Sequence, residues 1–406
     1  MNNHFPAILQ PLLKPILLDA LGCFFVSFLI PIVAHQEFQA DGFQMGLLFS
    51  LQALGTGVSA LLFAGKVNRW ASRAQLIRFA AFIRSFAYLC LYAAILSKHY
   101  WLMVFATFVL GFGSGLFWLI WQTCFAQISQ FEHRAQTLGF ASKQIGLGIM
   151  IGSGFAFSLL GFAEGFQLAD YIIYLSLPVF SLACLFAGCQ AFTAISVMTL
   201  QYPQTQQQNP QKINFTLLTV FLFAMIFVGQ LSGSLVAPFL EVYLLEHLHI
   251  SSVSQLSLAY IPGGILAMIL APKLGAFADK VNAALYLTCA GIIGAFTTWL
   301  MLQSGSLWQI SLLFIVDASV ITSSGLVLAK LISEVAGENK GSAFGLQGFI
   351  SNFGAISGPL VGGLFWQLQG SQGPFVFSIS TELLLAACCL VILWPALRVD
   401  HKLLKP

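Results

Sequence analysis

Leu274-Gly275-Ala276-Phe277-Ala278-Asp279-Lys280-Val281-Asn282 joins two long apolar runs, and a weaker copy stands earlier as Phe63-Ala64-Gly65-Lys66-Val67-Asn68-Arg69-Trp70-Ala71. Asn68 and Asp279 are 211 positions apart, and each copy closes the second apolar run of its half. Two further landmarks recur at nearly the same spacing. Gly345, Gly354, Gly358-Pro359 and Gly362-Gly363 thread the eleventh run; Gly139, Gly148 and Gly152-Ser153 thread the fifth, 206 positions earlier. Pro31 in the first run answers Pro238 in the seventh at an offset of 207. Three independent landmarks at almost one spacing describe a six-segment unit used twice.

The 406 residues are 58% hydrophobic and 8% charged, with a mean hydropathy of +0.87, which excludes a soluble globular domain. Apolar runs long enough to cross the hydrocarbon core, about 20 residues each, fall near 14–34, 43–64, 76–97, 100–125, 138–161 and 171–193, and again near 214–240, 253–274, 283–303, 307–329, 343–366 and 375–396. The first is too long for a cleaved signal and reads as a retained span. The predicted fold is an all-α polytopic membrane protein of twelve transmembrane helices in two pseudo-symmetric six-helix bundles. The bundles cover 1–195 and 214–406; the polar, Pro-broken segment 196–213 links them. Fourteen of the 17 Lys and Arg residues fall on the side that holds the termini, against Lys98 alone on the other. That imbalance predicts both termini inside, in a bacterial cytoplasmic membrane.

All eight cysteines lie in apolar runs, where they act as small polarizable core residues, so neither a disulfide nor a thiolate metal site is expected. Glu246-His247-x-His249 reads as polar surface, and no histidine lies deep in a span. No base and nucleophile pair, phosphate loop or extended soluble domain is present, which argues against an enzyme, a cofactor and direct ATP drive.

The Gly275–Lys280 loop resembles the loop signature of the major facilitator superfamily. Gly358-Pro359-x-x-Gly362-Gly363 resembles the glycine and proline motif described in its drug/proton antiporters. Span count, halves and orientation extend the resemblance to the whole chain, and it implies two bundles around a central cavity that opens alternately to each side. Leu17-Leu18-Asp19-Ala20-Leu21-Gly22 is similar to the first span of tetracycline/proton antiporters. The pattern departs at Thr107, where an arginine is expected, at Asn68 in place of the loop aspartate, and at Ser153 in place of a proline.

Asp19, Arg84, Lys143, Asp317 and Glu382 fall inside spans, where each ionised group costs about 2.5–3.5 kcal/mol and needs a partner, a cavity or a route to the interface. Asp19 is too short to reach the interface and stands at the depth of Arg84 and Lys143. It reads either as a static ion pair or as a proton site whose charge those cations set. Asp317 is the second proton candidate, because the resemblance implies that the tenth span lines the cavity. Glu382 reads as structural or near the outer interface. Gln52, Trp118, Trp121, Gln122, Gln144, Gln230, Tyr260, Gln347 and Asn352 are candidate solute contacts, Trp118 and Gln122 foremost because they lie one turn apart. Ordinary core or lipid-facing packing is the competing reading of every aromatic here.

The expected function is secondary active transport of a small organic solute, outward in exchange for protons, by a monomer whose partners are solute, protons and the bilayer, without nucleic acid. A proton-coupled uptake symporter and a non-transporting receptor or scaffold are the alternatives. The resemblance further implies a cytoplasmic gate of Asn68, Arg69, Asp279 and Lys280, with Asp279 near Leu138 and Gly139 at a helix start, where an anion gains about 0.3–2 kcal/mol. Asn68 lacks that charge. Asp279→Asn should therefore slow solute flux more than Asn68→Ala at matched expression; equal effects count against this gate.

Overall fold

With no water to bond a free N–H or C=O in the hydrocarbon, a chain this apolar must satisfy its backbone within each segment. The computed structural model describes residues 10–67, 70–128, 134–201, 217–250, 253–278, 282–336 and 340–395. Every regular element among them is helical. The order is α1 (Gln10–Ala20), α2 (Cys23–Phe38), α3 (Gly42–Val67), α4 (Trp70–Ser97), α5 (Tyr100–Ile128), α6 (Arg134–Gly165), α7 (Asp170–Ile173) and α8 (Ser176–Gln201). After the linker come α9 (Leu217–Val236), α10 (Leu240–His247), α11 (Val253–Ala278), α12 (Ala283–Gln303), α13 (Leu307–Ala336), α14 (Lys340–Gln369) and α15 (Gly373–Cys388), the last continued by a π-helical turn, Cys389–Leu393. Eleven spans among the described residues are long and apolar enough to cross a membrane. The eighth predicted span is α11, whose described apolar stretch is the shorter Val253–Leu266.

The starts of these helices follow local chemistry. Asp41 and Gln44 cap α3 reciprocally: Gln44 N–H donates to Asp41 Oδ1 at 2.7 Å, and Asp41 N–H to Gln44 Oε1 at 3.0 Å. Asn282 Oδ1 accepts from the N–H groups of Ala284 and Leu285 at 3.0 and 3.2 Å and so starts α12. Gly370, at φ 77°, ends α14.

The first and seventh spans are each two helices rather than one. Pro238 lies in the interruption between α9 and α10, as expected of a residue without an N–H. Pro31, its counterpart in sequence, stays inside α2. The first span breaks instead at Leu21-Gly22, where Gly22 leaves no room for a side chain: a Cβ there would lie 2.7 Å from the Tyr88 hydroxyl. Helix α8 runs on to Gln201, past the predicted start of the linker, because Ile195 and Met198 pack into the core of the first half. The rest of the linker, 202–213, lies outside the described residues.

Two compact units result, Met1–Ala40 with Leu47–Gln207, and Gln208–Pro406 with Asp41–Gly46. In the first, Leu116, Phe117, Ile120 and Trp121 of α5 pack with Ile77 of α4 and Ile195 of α8. In the second, Leu222 and Met225 of α9 pack with Leu287 of α12 and with Val327 and Leu331 of α13.

The repeated glycines press equivalent helices together. A Cβ on Gly148 or Gly152 of α6 would strike the carbonyl oxygens of Leu17 and Leu21 at the end of the first half-span. In the second unit, a Cβ on Gly354 would lie 3.0 Å from the Phe227 carbonyl oxygen of α9, and one on Gly358 2.7 Å from the Leu231 carbonyl oxygen. Ser234 Oγ donates across that contact to Gly354 O at 3.1 Å. Pro359 follows Gly358 without breaking α14, and Gly139 lies in the second turn of α6. A Cβ on Gly154, two residues beyond Gly152, would meet nothing within 4 Å. Gly152→Val should cost about 1–3 kcal/mol by overpacking and lower the thermal-unfolding midpoint in detergent, whereas Gly154→Val leaves it near the parent's. Equal midpoints would show that α6 does not bear on α1 so closely.

Candidate functional site: a buried ion pair and an acidic cavity

Asp19 ends α1 one residue before its last position, so its carboxylate sits beside the break in the first span. It is 0% exposed, and Arg84 of α4, 1% exposed, forms an ion pair with it through Nη1 and Oδ2. The surroundings complete the pair. Arg84 Nη2 donates to the Asp19 carbonyl at 3.3 Å and to Cys23 Sγ at 3.3 Å, and the Cys184 thiol donates to Asp19 Oδ1 at 3.8 Å. The guanidinium lies over the Phe117 ring, 5.7 Å from its centroid. Gly113 makes space for the arginine stem, since a Cβ there would stand 2.6 Å from Arg84 Cγ. Sealed this way the pair is neutral as a unit, yet removing either partner strands a buried charge.

Lys143 is exposed, and the ion pair to Asp19 is Arg84's. A side chain with a four-carbon stem can lift its ammonium toward a polar boundary, which an arginine enclosed between helices cannot do.

The second unit holds a cavity of about 540 Å³, within the range of small-molecule sites. Its polar groups come from five helices: Gln230 and Ser232 of α9, Thr298 of α12, Asp317 of α13, Gln347 of α14, and Ser378 and Glu382 of α15. A run of hydroxyls ends on one carboxylate. Thr381 Oγ1 donates to Ser232 Oγ at 2.8 Å, Ser232 and Ser378 hydroxyls are 2.9 Å apart, and Ser378 Oγ donates to Glu382 Oε1 at 3.3 Å. Asp317 and Glu382 are close enough to feel each other's charge.

The remaining predicted residues scatter. The cavity gathers Gln230, Gln347 and Asp317. Asn352 stands next to its Ser351 on α14. Tyr260 of α11 instead meets Phe314, ring centroids 4.5 Å apart. In the first unit Trp121 is core, Trp118 packs against that core, Gln122 is exposed, and Gln52 and Gln144 are half-buried. Asn68, Arg69, Asp279 and Lys280 lie outside the described residues.

Two ionisable groups escaped the sequence reading. Glu241, buried in the first turn of α10, lies one residue past the predicted end of the seventh span; a carboxylate just after Pro238 reads as the exit from the membrane. Arg73, 0% exposed, reads as one of the loop cations. The signal that could have found Glu241 is the continuation of the apolar run through Val242, Leu244 and Leu245.

Residues 16–330 match the model of the Major Facilitator Superfamily. The chain belongs to that superfamily. It is 26% identical over 326 residues to Multidrug resistance protein 1 of Bacillus subtilis (strain 168), covering 72% of this chain and 74% of the relative. It is 33% identical over 141 residues to Tetracycline resistance protein, class H, of Pasteurella multocida, covering 33% of this chain and 35% of the relative. Among solved structures, the fold is similar to an aspartate-to-alanine variant of nucleoside transporter NupG, at a TM-score of 0.73 and 14% identity over 94% of this chain and 98% of that one. It is also similar to a bacterial homolog of the human lysosomal transporter Spinster in an inward-facing, occupied conformation, at 0.69 and 13% identity over 95% and 96%. A facilitator fold therefore carries both the ion pair and the cavity in an integral membrane protein.

The ion pair supplies a stability test. Asp19→Ala should cost about 3–5 kcal/mol, because Arg84 is left charged and unpaired. The double variant Asp19→Leu with Arg84→Met should recover most of that loss in thermal unfolding. A double variant no better than the single one would show that the site is held by something other than charge balance.

Proposed function

We propose that this protein is a secondary active transporter that exports a small organic solute in exchange for protons, working as a monomer in a bacterial cytoplasmic membrane with both termini inside. The observation that carries the proposal is the Asp19–Arg84 pair, fully buried at a helix break, where one proton decides whether the arginine is neutralised. Protonating Asp19 releases Arg84, which must then find another acceptor or shift α4 against α1. Proton uptake thus becomes a change in helix packing. The proton's descent supplies about 2.3 kcal/mol per 100 mV of membrane potential, enough to drive a neutral solute uphill. The cavity of the second unit supports solute binding by its size and mixed lining, and the names of the multidrug- and tetracycline-resistance relatives support the outward direction.

Uptake is the second reading. Thr107, buried in α5 and donating to Val104 O at 2.9 Å, stands where the drug/proton antiporter pattern has an arginine. Reversing the pH gradient in proteoliposomes separates the two directions. In that assay the folded fraction of Asp19→Asn should still bind and exchange solute, yet fail to concentrate it when a pH gradient is imposed. Accumulation equal to the parent's would make the pair purely structural and move the coupling proton to Asp317.

A further inference from the structure

We propose that the cavity of the second unit takes solutes built as an apolar body bearing a protonated amine, and that Glu382 is the counter-ion that selects them. The inference rests on the transport reading for its meaning, but its evidence is separate. Asp317 and Glu382 both line the cavity, and no Lys, Arg or His is among the described residues that do. Two carboxylates in a mostly apolar cavity, with no cation among the described lining, ionise only at a cost, and an entering cation offsets that cost. The first unit solved the same problem with an internal arginine. The second has left the place open.

The hydroxyls beside Glu382 point the same way. Thr381 Oγ1 lies 2.8 Å from both Ser232 Oγ and the Ser378 carbonyl oxygen, and the Ser378 hydroxyl, 2.9 Å from that of Ser232, donates to Glu382 Oε1 at 3.3 Å. A hydroxyl donating to a carboxylate favours its ionised form. Glu382 Oε2 is buried with no hydrogen-bond partner. It faces α12 at Gly294, where a Cβ would lie 3.0 Å from it. A carboxylate anchored through Oε1 and unpartnered at Oε2 suits an N–H donor from a ligand. Around it Leu287, Met301, Phe314, Val320 and Phe375 supply apolar surface for the body of such a solute. Gln230 and Gln347 add two amides that fix its orientation. The twelfth span thus contributes recognition through a residue that its sequence position suggests is structural.

A matched pair of probes tests this on the purified full-length protein by isothermal titration calorimetry at neutral pH: 1-naphthylmethylamine, which is protonated, and 1-naphthylmethanol, its neutral counterpart. The amine should bind at least about tenfold more tightly than the alcohol. Glu382→Gln should remove that preference and leave alcohol binding within about twofold of the parent. Glu382→Asp, which keeps the charge and draws it back by one methylene, should fall between, and serves in place of Glu382→Gln should that variant not fold. Equal binding of the two probes, no binding of the amine, or a Glu382→Gln variant with undiminished amine preference overturns the proposal. Asp19→Asn should retain the preference whatever it does to flux, so loss of coupling and loss of this site are read separately.

Discussion

In a bilayer two helices gain nothing by hiding apolar surface from each other, because the lipid is as apolar as they are; what holds them is close contact. That constraint explains why this chain spends its glycines as it does. At Gly148 and Gly152 of α6, and at Gly354 and Gly358 of α14, the missing Cβ is what lets backbone meet backbone. The same device joins α3 to α5, where Gly111 lies against the Gln52 carbonyl and Thr56 Oγ1 donates to Gly111 O at 3.1 Å. Close seams of this kind hold the helices of each unit together and keep a buried charge in one place.

Charge is the second constraint, and the two units answer it differently. Asp19 is neutralised by Arg84 inside a shell of thiols, an aromatic ring and backbone, leaving no space for a ligand. Asp317 and Glu382 share a cavity large enough for a drug-sized molecule. On the proposed reading the first answers a proton by releasing a side chain and the second answers a solute by gaining a counter-ion, so the two need not compete for one carboxylate and their coupling passes through helix position.

The architecture was legible because its signals are local and repeated. Span lengths follow from hydrophobic runs, and the glycine series at a spacing of 206 marked the tight seams before any helix was placed. Asp19 with Arg84 was legible for a chemical reason, since a short carboxylate at mid-depth has few ways to be stable. Partner choice was less so: Lys143 stands at a similar depth, yet helix rotation leaves it exposed. The acidic cavity was hidden for the same reason. Whether Glu382 of α15 turns toward α12 and α13 or toward lipid depends on a rotation about the helix axis that sequence spacing does not encode in a span apolar on every side. The proline symmetry misled in detail, for Pro31 is absorbed within α2 while the steric demand at Gly22 sets the break.

What the repeat preserves and what it abandons separate packing from chemistry. At the 207-residue offset that relates Pro31 to Pro238, the counterpart of Asp19 is Ile226, a buried apolar residue of α9. Counting back 206 or 207 positions from Asp317 reaches Gly111 and Leu110. Gly111 is pressed onto the Gln52 backbone and Leu110 is buried, so the first unit is closed where the second is open. Seam glycines recur because any larger residue there pushes two backbones apart, in either half. Charged positions do not recur because a buried carboxylate is tolerated only with its own compensation, and each half has built a different one. An arginine across the bundle compensates Asp19 from within. A cavity whose carboxylates meet no cation among the described lining leaves that compensation to come from outside, which is what the proposed solute site asks of its ligand.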